Sequence, residues 1–333
     1  MEEAASTGPK ITIHGYLTQA YARTGGGEIL GIPAKGTTDY RTAALQIRAD
    51  VTEQDTFAFQ LSHERFGESD IQALEDDLAL DWIFYEHRSG QSSLKVGRVQ
   101  IPFGIYNEVR DVGTLLPFYR PSANFYGEGA YTSETVDGIV LSHAFDLGRG
   151  WHLDGDLHYG NWEFINRSGG FHRRQVRNSV GVELWLETPL PGLRIGTGGM
   201  RYDVEEPDGN RWHTYHVSLE EELGRVVAHV EYKLIDFGAG TYDGGYAHLG
   251  IRATDKVTIN AQHDFSNLDI DFFRAGDFDD DTALGVSYAF RPDHVLKLEH
   301  HRDTGYTPED PAQSFFAPKV ETRYWIASLS ASF

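Results

Sequence analysis

The amino-acid sequence predicts an all-β protein, a transmembrane antiparallel β-barrel of about 16 strands with an inward-folded long third extracellular loop. Apolar residues recur at every second position, so they lie on one face of a strand while polar residues lie on the other. About sixteen such segments follow one another along 333 residues, joined alternately by tight turns and long polar connections. No apolar run approaches the roughly 18 to 20 residues that a membrane-spanning helix needs, which excludes a helical transporter.

The alternation also places the individual strands. They are predicted to begin near residues 11, 40, 56, 78, 93, 134, 151, 178, 193, 211, 226, 245, 257, 282, 294 and 322. Val230 represents the apolar phase, which we assign to lipid, and Glu231 represents the polar phase, which we assign to the lumen. The charged residues predicted to face the lumen are Glu64, Asp81, Asp154, Asp156, Glu183, Glu231, Lys233, Lys297 and Glu299. Arginine in place of Val230 should therefore impair assembly, whereas arginine in place of Glu231 should be tolerated.

This segmentation predicts one main domain. Residues 1–10 are expected to form a periplasmic N-terminal extension, and residues 11–333 a single barrel domain with a constriction loop at 102–132. The alternative is a soluble β-sandwich or propeller, whose apolar face would be a buried core. A sandwich would have to bury the apolar side chains of all the strands, and no repeat of about 40 to 50 residues indicates a propeller. The barrel is therefore favoured.

Composition restricts the partners and the chemistry. The 50 acidic and 29 basic residues give a net charge of -21, which would repel a nucleic-acid backbone, so no nucleic-acid partner is expected. The absence of cysteine excludes disulfide scaffolds, thiolate metal sites and cysteine nucleophiles. The chain begins Met-Glu-Glu-Ala-Ala, without a basic start and an apolar core. A location in the bacterial outer membrane then requires that the export signal is absent from this numbering.

The carboxyl end carries a separate signal. The last segment places Trp325, Leu329 and Phe333 on one face and ends the chain on an aromatic residue. It resembles the terminal strand of bacterial outer-membrane barrels, which implies recognition by the barrel-assembly machinery. An ordinary edge strand that happens to end in phenylalanine is the alternative.

Two further stretches resemble Gram-negative outer-membrane porins. They are H-G-Y-L-T-Q-A-Y from His14 to Tyr21, and G-R-V-Q-I-P-F-G-I-Y-N-E-V-R-D-V from Gly97, followed by L-L-P-F-Y-R-P. The family is distantly similar to phosphate-selective porins, and the similarity is strong over 94–143, moderate over 11–100 and architectural thereafter. The resemblance implies sixteen antiparallel strands, diffusion of small solutes and a homotrimer. Phosphate-selective channels imply ladders of lysine and arginine, and the 7 lysines of this chain argue against phosphate selectivity.

The segment from 102 to 132 is predicted to fold into the barrel. Pro102, Pro117 and Pro121 disfavour both a helix and a central strand, while many aromatic and aliphatic residues favour packing against a wall. The predicted pore constriction consists of Glu108, Arg110, Asp111 and Arg120 from the loop, facing the wall residues Arg48, Lys95 and Arg98. A loop that contacts a neighbouring subunit or caps the mouth is the alternative.

The sequence contains no compact catalytic or metal-binding motif. There is no H-E-x-x-H, G-x-S-x-G or phosphate-binding glycine motif, so no metal, no cofactor and no enzyme activity is predicted. The acidic run at 277–281 resembles calcium chemistry in composition, but it lacks the twelve-residue calcium loop, and a solvated acidic loop is the favoured interpretation.

These observations favour an outer-membrane porin that passes small hydrophilic solutes and ions and prefers cations weakly at low salt. Acidic loops around 70–77, 203–208 and 269–281 would concentrate cations at the mouth. The expected partners are membrane lipid, lipopolysaccharide and solutes. An outer-membrane enzyme of the lipase type, a plugged structural barrel and a channel selective for anions or phosphate remain as alternatives.

Overall fold

The computed structural model is a closed barrel of sixteen antiparallel strands, which confirms the predicted fold class. The structure describes residues 8–74, 77–127, 133–166, 172–205, 210–270, 273–306 and 318–333. Most of the predicted N-terminal extension and residues 128–132 of the predicted constriction loop lie outside the described residues, as do 75–76, 206–208 and 271–272 of the predicted acidic loops. No helix among the described residues is long and apolar enough to cross a membrane.

The strands follow one another around the barrel in chain order. They are β1 (Lys10–Thr24), β2 (Thr37–Asp50), β3 (Asp55–Phe66), β4 (Ala79–Ser89), β5 (Ser92–Gln100), β6 (Thr135–Gly148), β7 (Trp151–Asn166), β8 (His172–Glu187), β9 (Arg194–Val204), β10 (Arg211–Leu223), β11 (Val226–Asp236), β12 (Gly240–Arg252), β13 (Val257–Ile270), β14 (Phe273–Arg291), β15 (His294–Gly305) and β16 (Val320–Ser332). Short 3₁₀ turns occupy Asp70–Leu74 and Asn107–Val109, and a one-turn helix α1 occupies Ala123–Tyr126.

The barrel closes by pairing its first and last strands. In the β1–β16 ladder, Tyr16 is opposite Ser332 and Thr24 is opposite Tyr324. The final residue extends this ladder, because the N–H of Phe333 donates to the carbonyl of Gly15 at 2.9 Å and the N–H of Gly15 donates back at 3.1 Å. Closure leaves no sheet edge with unpaired backbone groups facing lipid.

The outer face of the barrel is apolar. Outward side chains such as Leu17, Val230 and Leu298 are about half exposed, at 49%, 45% and 54%. Trp325 and Leu329 of the last strand are exposed, while their neighbours Tyr324 and Ile326 are buried inside. Exposed aliphatic residues on every second position form the band that meets lipid in a transmembrane barrel.

The interior is largely filled by the long connection between β5 and β6. This segment, residues 101–134, is called L3 below and is described at 101–127 and 133–134. Its Phe103, Phe125 and Tyr126 pack with inward-facing Val99 and Val136 in the largest buried apolar cluster. The predicted inward folding of the third long loop is confirmed.

One stretch differs from the sequence prediction. The acidic run was predicted to be a solvated loop before a strand beginning near 282, but β14 begins at Phe273 and includes it. Within β14, Asp279 and Asp281 border the interior cavity, whereas Asp280 lies opposite Phe265 in the outward phase. The prediction was wrong because carboxylates can occupy strand positions beyond the apolar band, where a face of the strand meets water. Calcium binding by this run stays a prediction.

Candidate functional site

Glu231 on β11 holds L3 against the barrel wall. Its carboxylate accepts hydrogen bonds from the backbone N–H of Ile105 at 3.0 Å, from Tyr246 Oη at 2.6 Å and from Ser218 Oγ at 2.5 Å. The phenol of Tyr126 in L3 donates to the second oxygen. Glu231 is 1% exposed, so a fully desolvated carboxylate is satisfied by four donors, two of which belong to the loop.

The loop approaches this carboxylate at a glycine. Gly104 has φ +63°, a conformation that favours glycine, and a Cβ added there would lie 2.5 Å from both Glu231 Oε1 and Tyr126 Oη. The backbone of L3 can therefore reach the carboxylate only because this position carries no side chain.

Two lysines on the wall bind carbonyl groups of the loop. The ammonium of Lys233 donates to the carbonyl of Phe125 at 2.6 Å, and that of Lys297 donates to the carbonyl of Phe118 at 2.6 Å. Both lysines are buried, at 0% and 4% exposure. The structure thus points these residues and Glu231 into the barrel, but beneath L3 rather than along an open water-filled surface.

Further hydrogen bonds attach L3 to the far side of the barrel. Asn260 Nδ2 on β13 donates to the carbonyl of Pro117 at 3.3 Å, and Tyr242 Oη on β12 donates to that of Asn124 at 2.8 Å. On β16, three strands further around the barrel, Ser332 Oγ accepts a hydrogen bond from Thr114 Oγ1 at 3.3 Å. The loop therefore crosses the lumen and does not merely line one wall.

The predicted constriction residues separate into different environments. Glu108 lies near Lys95 on β5, with 4.0 Å between Oε1 and Nζ, and this pair resembles the predicted opposed charges. Arg110 donates to the carbonyl of Tyr126 at 2.8 Å, which places its guanidinium on the loop itself. Arg120 lies over the rings of two wall residues, with its Cζ 4.8 Å from Tyr40 and 4.7 Å from Phe66.

Three carboxylates meet where both ends of L3 pass β4. Asp81, Asp111 and Glu134 each place one oxygen within 4.8 Å of the others. The sequence assigned Asp81 to the lumen and Asp111 to the constriction, but it gave no reason to select Glu134. The residue lies 23 positions after Asp111, so only the path of the loop brings the two together.

Two predicted wall residues lie away from the constriction. Arg48 is close to the turn between β2 and β3, where its Nε donates to Asp50 at 2.8 Å and its NH2 donates to Thr56 at 3.1 Å. Arg98 is directly opposite the exposed Ile83 in the β4–β5 ladder, so it belongs to the outward phase, and it pairs with Asp137 at 2.8 Å. Arg48 therefore lies apart from the loop charges, whereas Arg98, although it is in the outward phase, still borders the same cavity as Arg110 and Asp111.

The remaining lumen-facing predictions have varied surroundings. Glu183 is buried and pairs with His216 at 2.8 Å. Asp156 accepts a hydrogen bond from Ser142 on the neighbouring strand at 2.5 Å. Asp154 lies two residues earlier on the same strand, nearer the short connections. Glu64, Asp81 and Glu299 border the cavity described next.

A cavity of about 830 Å³ lies between L3 and the long loops. Among the described residues that border it are eleven carboxylates and four arginines. The carboxylates are Glu64, Asp81, Asp111, Glu134, Asp137, Glu163, Asp264, Asp279, Asp281, Glu299 and Asp303, and the arginines are Arg98, Arg110, Arg120 and Arg173. The excess of negative charge makes this cavity attractive to cations.

Burial shifts the pKa values of two glutamates of L3. The pKa of Glu134 is raised well above that of a free glutamate, first by burial and then by the adjacent charges of Asp111 and Asp81. Desolvation within the lumen also raises the pKa of Glu108, but its side chain is 55% exposed and the nearby ammonium of Lys95 acts in the opposite direction. Glu134 therefore retains its proton to a higher pH than an exposed glutamate.

No family model and no curated protein matches the sequence. Solved structures of similar fold were found. OmpF of Salmonella typhi, in complex with daunomycin, has a TM-score of 0.66 and 12% identity, and the match covers 99% of this chain and 100% of that chain. The outer membrane channel DcaP of Acinetobacter baumannii has a TM-score of 0.65 and 10% identity, with 99% of each chain covered.

An anion-selective porin from Comamonas acidovorans has a TM-score of 0.61 and 11% identity, with coverage of 98% of this chain and 100% of that chain. At these identities the likeness establishes the architecture. The chain therefore has the sixteen-stranded barrel fold of outer-membrane porins.

Proposed function

We propose that this protein is an outer-membrane porin through which small hydrophilic solutes and ions diffuse passively. The observation that carries the proposal is a closed barrel whose third long loop crosses the lumen and leaves an acidic cavity on the side of the long loops. A confined polar passage with fixed charges selects solutes by size and charge, and it needs no catalytic group. Solved barrels of the same fold are described as a channel and as a porin, which supports transport rather than catalysis.

We further propose a preference for cations. Eleven carboxylates and four arginines border the cavity, so monovalent cations should be enriched there relative to anions. The part of the preference that arises from the outer rim should weaken as the Debye length falls from about 30 Å at 0.01 M salt to about 3 Å at 1 M. The fold itself does not fix the sign of selectivity, since one barrel of the same fold is described as anion-selective.

Reversal potentials in planar bilayers test this function. Purified protein should conduct in potassium chloride, and a salt gradient should give a potential of the sign that indicates cation selectivity. A neutralising change at the rim, Glu163→Gln, should reduce selectivity at low salt only, whereas Asp111→Asn should reduce it at high salt as well. Strong anion selectivity that persists at high salt would refute the cation preference.

A plugged structural barrel is the second candidate. The hydrogen bonds of L3 to β11, β13, β15 and β16 favour it, because a loop that leaves the wall at β5 and is bound by these strands across the barrel can close the lumen. Absence of conductance in wild-type protein, together with conductance after the loop is released from Glu231, would support the plug and refute the open channel.

The setting of the barrel follows from the same proposal. We place the protein in the bacterial outer membrane, in contact with lipid and lipopolysaccharide, and we assign the terminal Phe333 to recognition by the barrel-assembly machinery. A homotrimer is implied by the sequence resemblance, and OmpT of Vibrio cholerae, another barrel of this fold, has been solved in a trimer form. The mass of the purified complex in detergent tests the trimer.

A further inference from the structure

Three aspartates form a row across neighbouring strands of the cavity wall. Asp264 on β13 is directly opposite Asp281 on β14, and Asp281 is directly opposite Asp303 on β15. All three border the cavity. Opposite residues of an antiparallel pair have Cα atoms about 4.5 to 5.5 Å apart, so this aspartate row extends over about 10 Å.

Each member of the aspartate row has a carboxylate oxygen without a hydrogen-bond partner among the described residues. The atom is Oδ1 in all three, and Asp264 and Asp303 are only 3% and 6% exposed. The row continues to Thr322 on β16, which is directly opposite Asp303. The Thr322 hydroxyl is 1% exposed and likewise has no hydrogen-bond partner among the described residues. Desolvated carboxylate oxygens without donors are strongly unfavourable, so this wall is suited to take up a cation.

The positive groups that the structure describes near the row are too few to neutralise it. His301 is 2.8 Å from Asp281 and 3.4 Å from Glu299, so one imidazole serves two carboxylates. The ammonium of Lys297 is already bound to a carbonyl of L3. Asp279 borders the same cavity and forms a side-chain hydrogen bond with Asp303. A bound cation would therefore supply compensation that the described residues do not.

The spacing favours ammonium groups over a metal ion. A calcium ion requires several oxygens at about 2.3 to 2.6 Å from one centre. Among the described residues, the row does not bring three carboxylate oxygens within 4.8 Å of one another. An ammonium group has three donors and needs only two or three acceptors around it. The row offers two such positions, one on each side of Asp281.

We propose that the aspartate row binds elongated organic cations that carry two primary ammonium groups, of which a short linear diamine is the simplest. One ammonium lies between Asp264 and Asp281, and the other lies between Asp281 and Asp303. The ligand enters from the side of the long loops. The inference rests on the proposed function, because it names the class of solute that a cation-preferring channel retains at this wall.

Isothermal titration calorimetry of the detergent-solubilised protein with 1,4-diaminobutane tests the proposal. We expect saturable binding, at least about tenfold tighter than that of 1-aminobutane, because the monoamine fills only one position. Asp281→Asn should weaken diamine binding at least about tenfold, and Asp303→Asn should do so as a second variant. Asp280→Asn is the matched control, since it removes the same charge from the adjacent, outward position, and it should leave binding unchanged.

Three results would overturn the proposal. The first is equal binding of the monoamine and the diamine, and the second is equal weakening of diamine binding by Asp281→Asn and Asp280→Asn. The third is displacement of the diamine by calcium chloride at a concentration below that of the diamine, with loss of calcium binding in Asp281→Asn. Calorimetry does not depend on conductance. Diamine binding by a protein that does not conduct potassium chloride would therefore refute the channel and leave the aspartate row intact, while conductance without diamine binding would refute only the row.

Discussion

Replacement of Glu231 should release L3 from the barrel wall. In Glu231→Ala, the N–H of Ile105 and the hydroxyls of Tyr126, Tyr246 and Ser218 lose their acceptor in a site that is 1% exposed. A buried donor without a partner costs about 1 to 3 kcal/mol, so the loss is on the order of 4 kcal/mol even at the low end of that range. Glu231→Gln should have a smaller effect, because the amide keeps one acceptor oxygen while its NH2 faces other donors.

The released loop should be detectable in two measurements. Limited proteolysis should cut L3 faster in Glu231→Ala than in the wild type, and single-channel conductance should become larger and noisier. Glu222→Ala is the control, since this partly exposed carboxylate pairs with Arg252 and an exposed ion pair contributes about 0 to 1 kcal/mol. If Glu231→Ala and Glu222→Ala behave alike in both assays, the carboxylate does not hold the loop.

Other positions give further expected outcomes. Val230→Arg should reduce the yield of heat-modifiable barrel on gels, because a midplane arginine on the lipid face costs about 2 to 4 kcal/mol, and normal assembly would contradict the outward phase. Cation selectivity should fall as pH is lowered, and the fall should begin above the pKa of about 4.3 of a free glutamate, because Glu134 has a raised pKa and is protonated at higher pH. Glu134→Gln should remove this step from the reversal potentials. An unchanged pH profile in that variant would exclude Glu134 as the source of the step. Gly15→Val should slow barrel closure in a refolding assay, because a Cβ at this position would lie 2.6 Å from the ring of Phe333. Refolding at the wild-type rate would show that the ring can move aside without cost.

Strand positions followed from the sequence because one face of every strand meets lipid. The predicted start of β11 at 226 and of β13 at 257 agrees with the structure, and those of β8 and β14 are late by 6 and 9 residues. Both late predictions fall beyond the apolar band, where charged residues such as Arg173 and Asp279 occupy strand positions. Alternation of apolar and polar residues no longer marks a strand there, because both faces can be polar.

The orientation of Arg98 was mispredicted for a different reason. The lumen beside β5 is filled by apolar residues of L3, so the inward positions near this level are Val99 and Val136 rather than charged residues. The rule that apolar residues face lipid fails wherever an apolar loop occupies the lumen. Sequence alternation alone cannot show where that happens, since it carries no information on the path of a loop.

The same limit explains the different outcomes for Glu231 and Asp281. The sequence assigned Glu231 to the polar phase of a strand and Asp281 to a solvated loop, and both face inward. L3 covers Glu231 and supplies it with donors. This reverses the expectation that arginine would be tolerated at this position, because a guanidinium has no acceptor for the N–H of Ile105. Asp281 keeps one oxygen that has no hydrogen-bond partner in the part of the chain that the structure describes.

Charges that L3 satisfies stabilise the loop, and charges that it leaves unsatisfied act on solutes. The carboxylate of Glu231 and the ammonium groups of Lys233 and Lys297 form short hydrogen bonds beneath L3. They are not among the described residues that border the cavity, so they act less directly on an entering ion. The acids grouped around Asp111 and the aspartate row are instead left to set the potential that an entering ion meets. Ion selectivity should thus respond to a few cavity carboxylates far more than to the net charge of -21 carried by the whole chain.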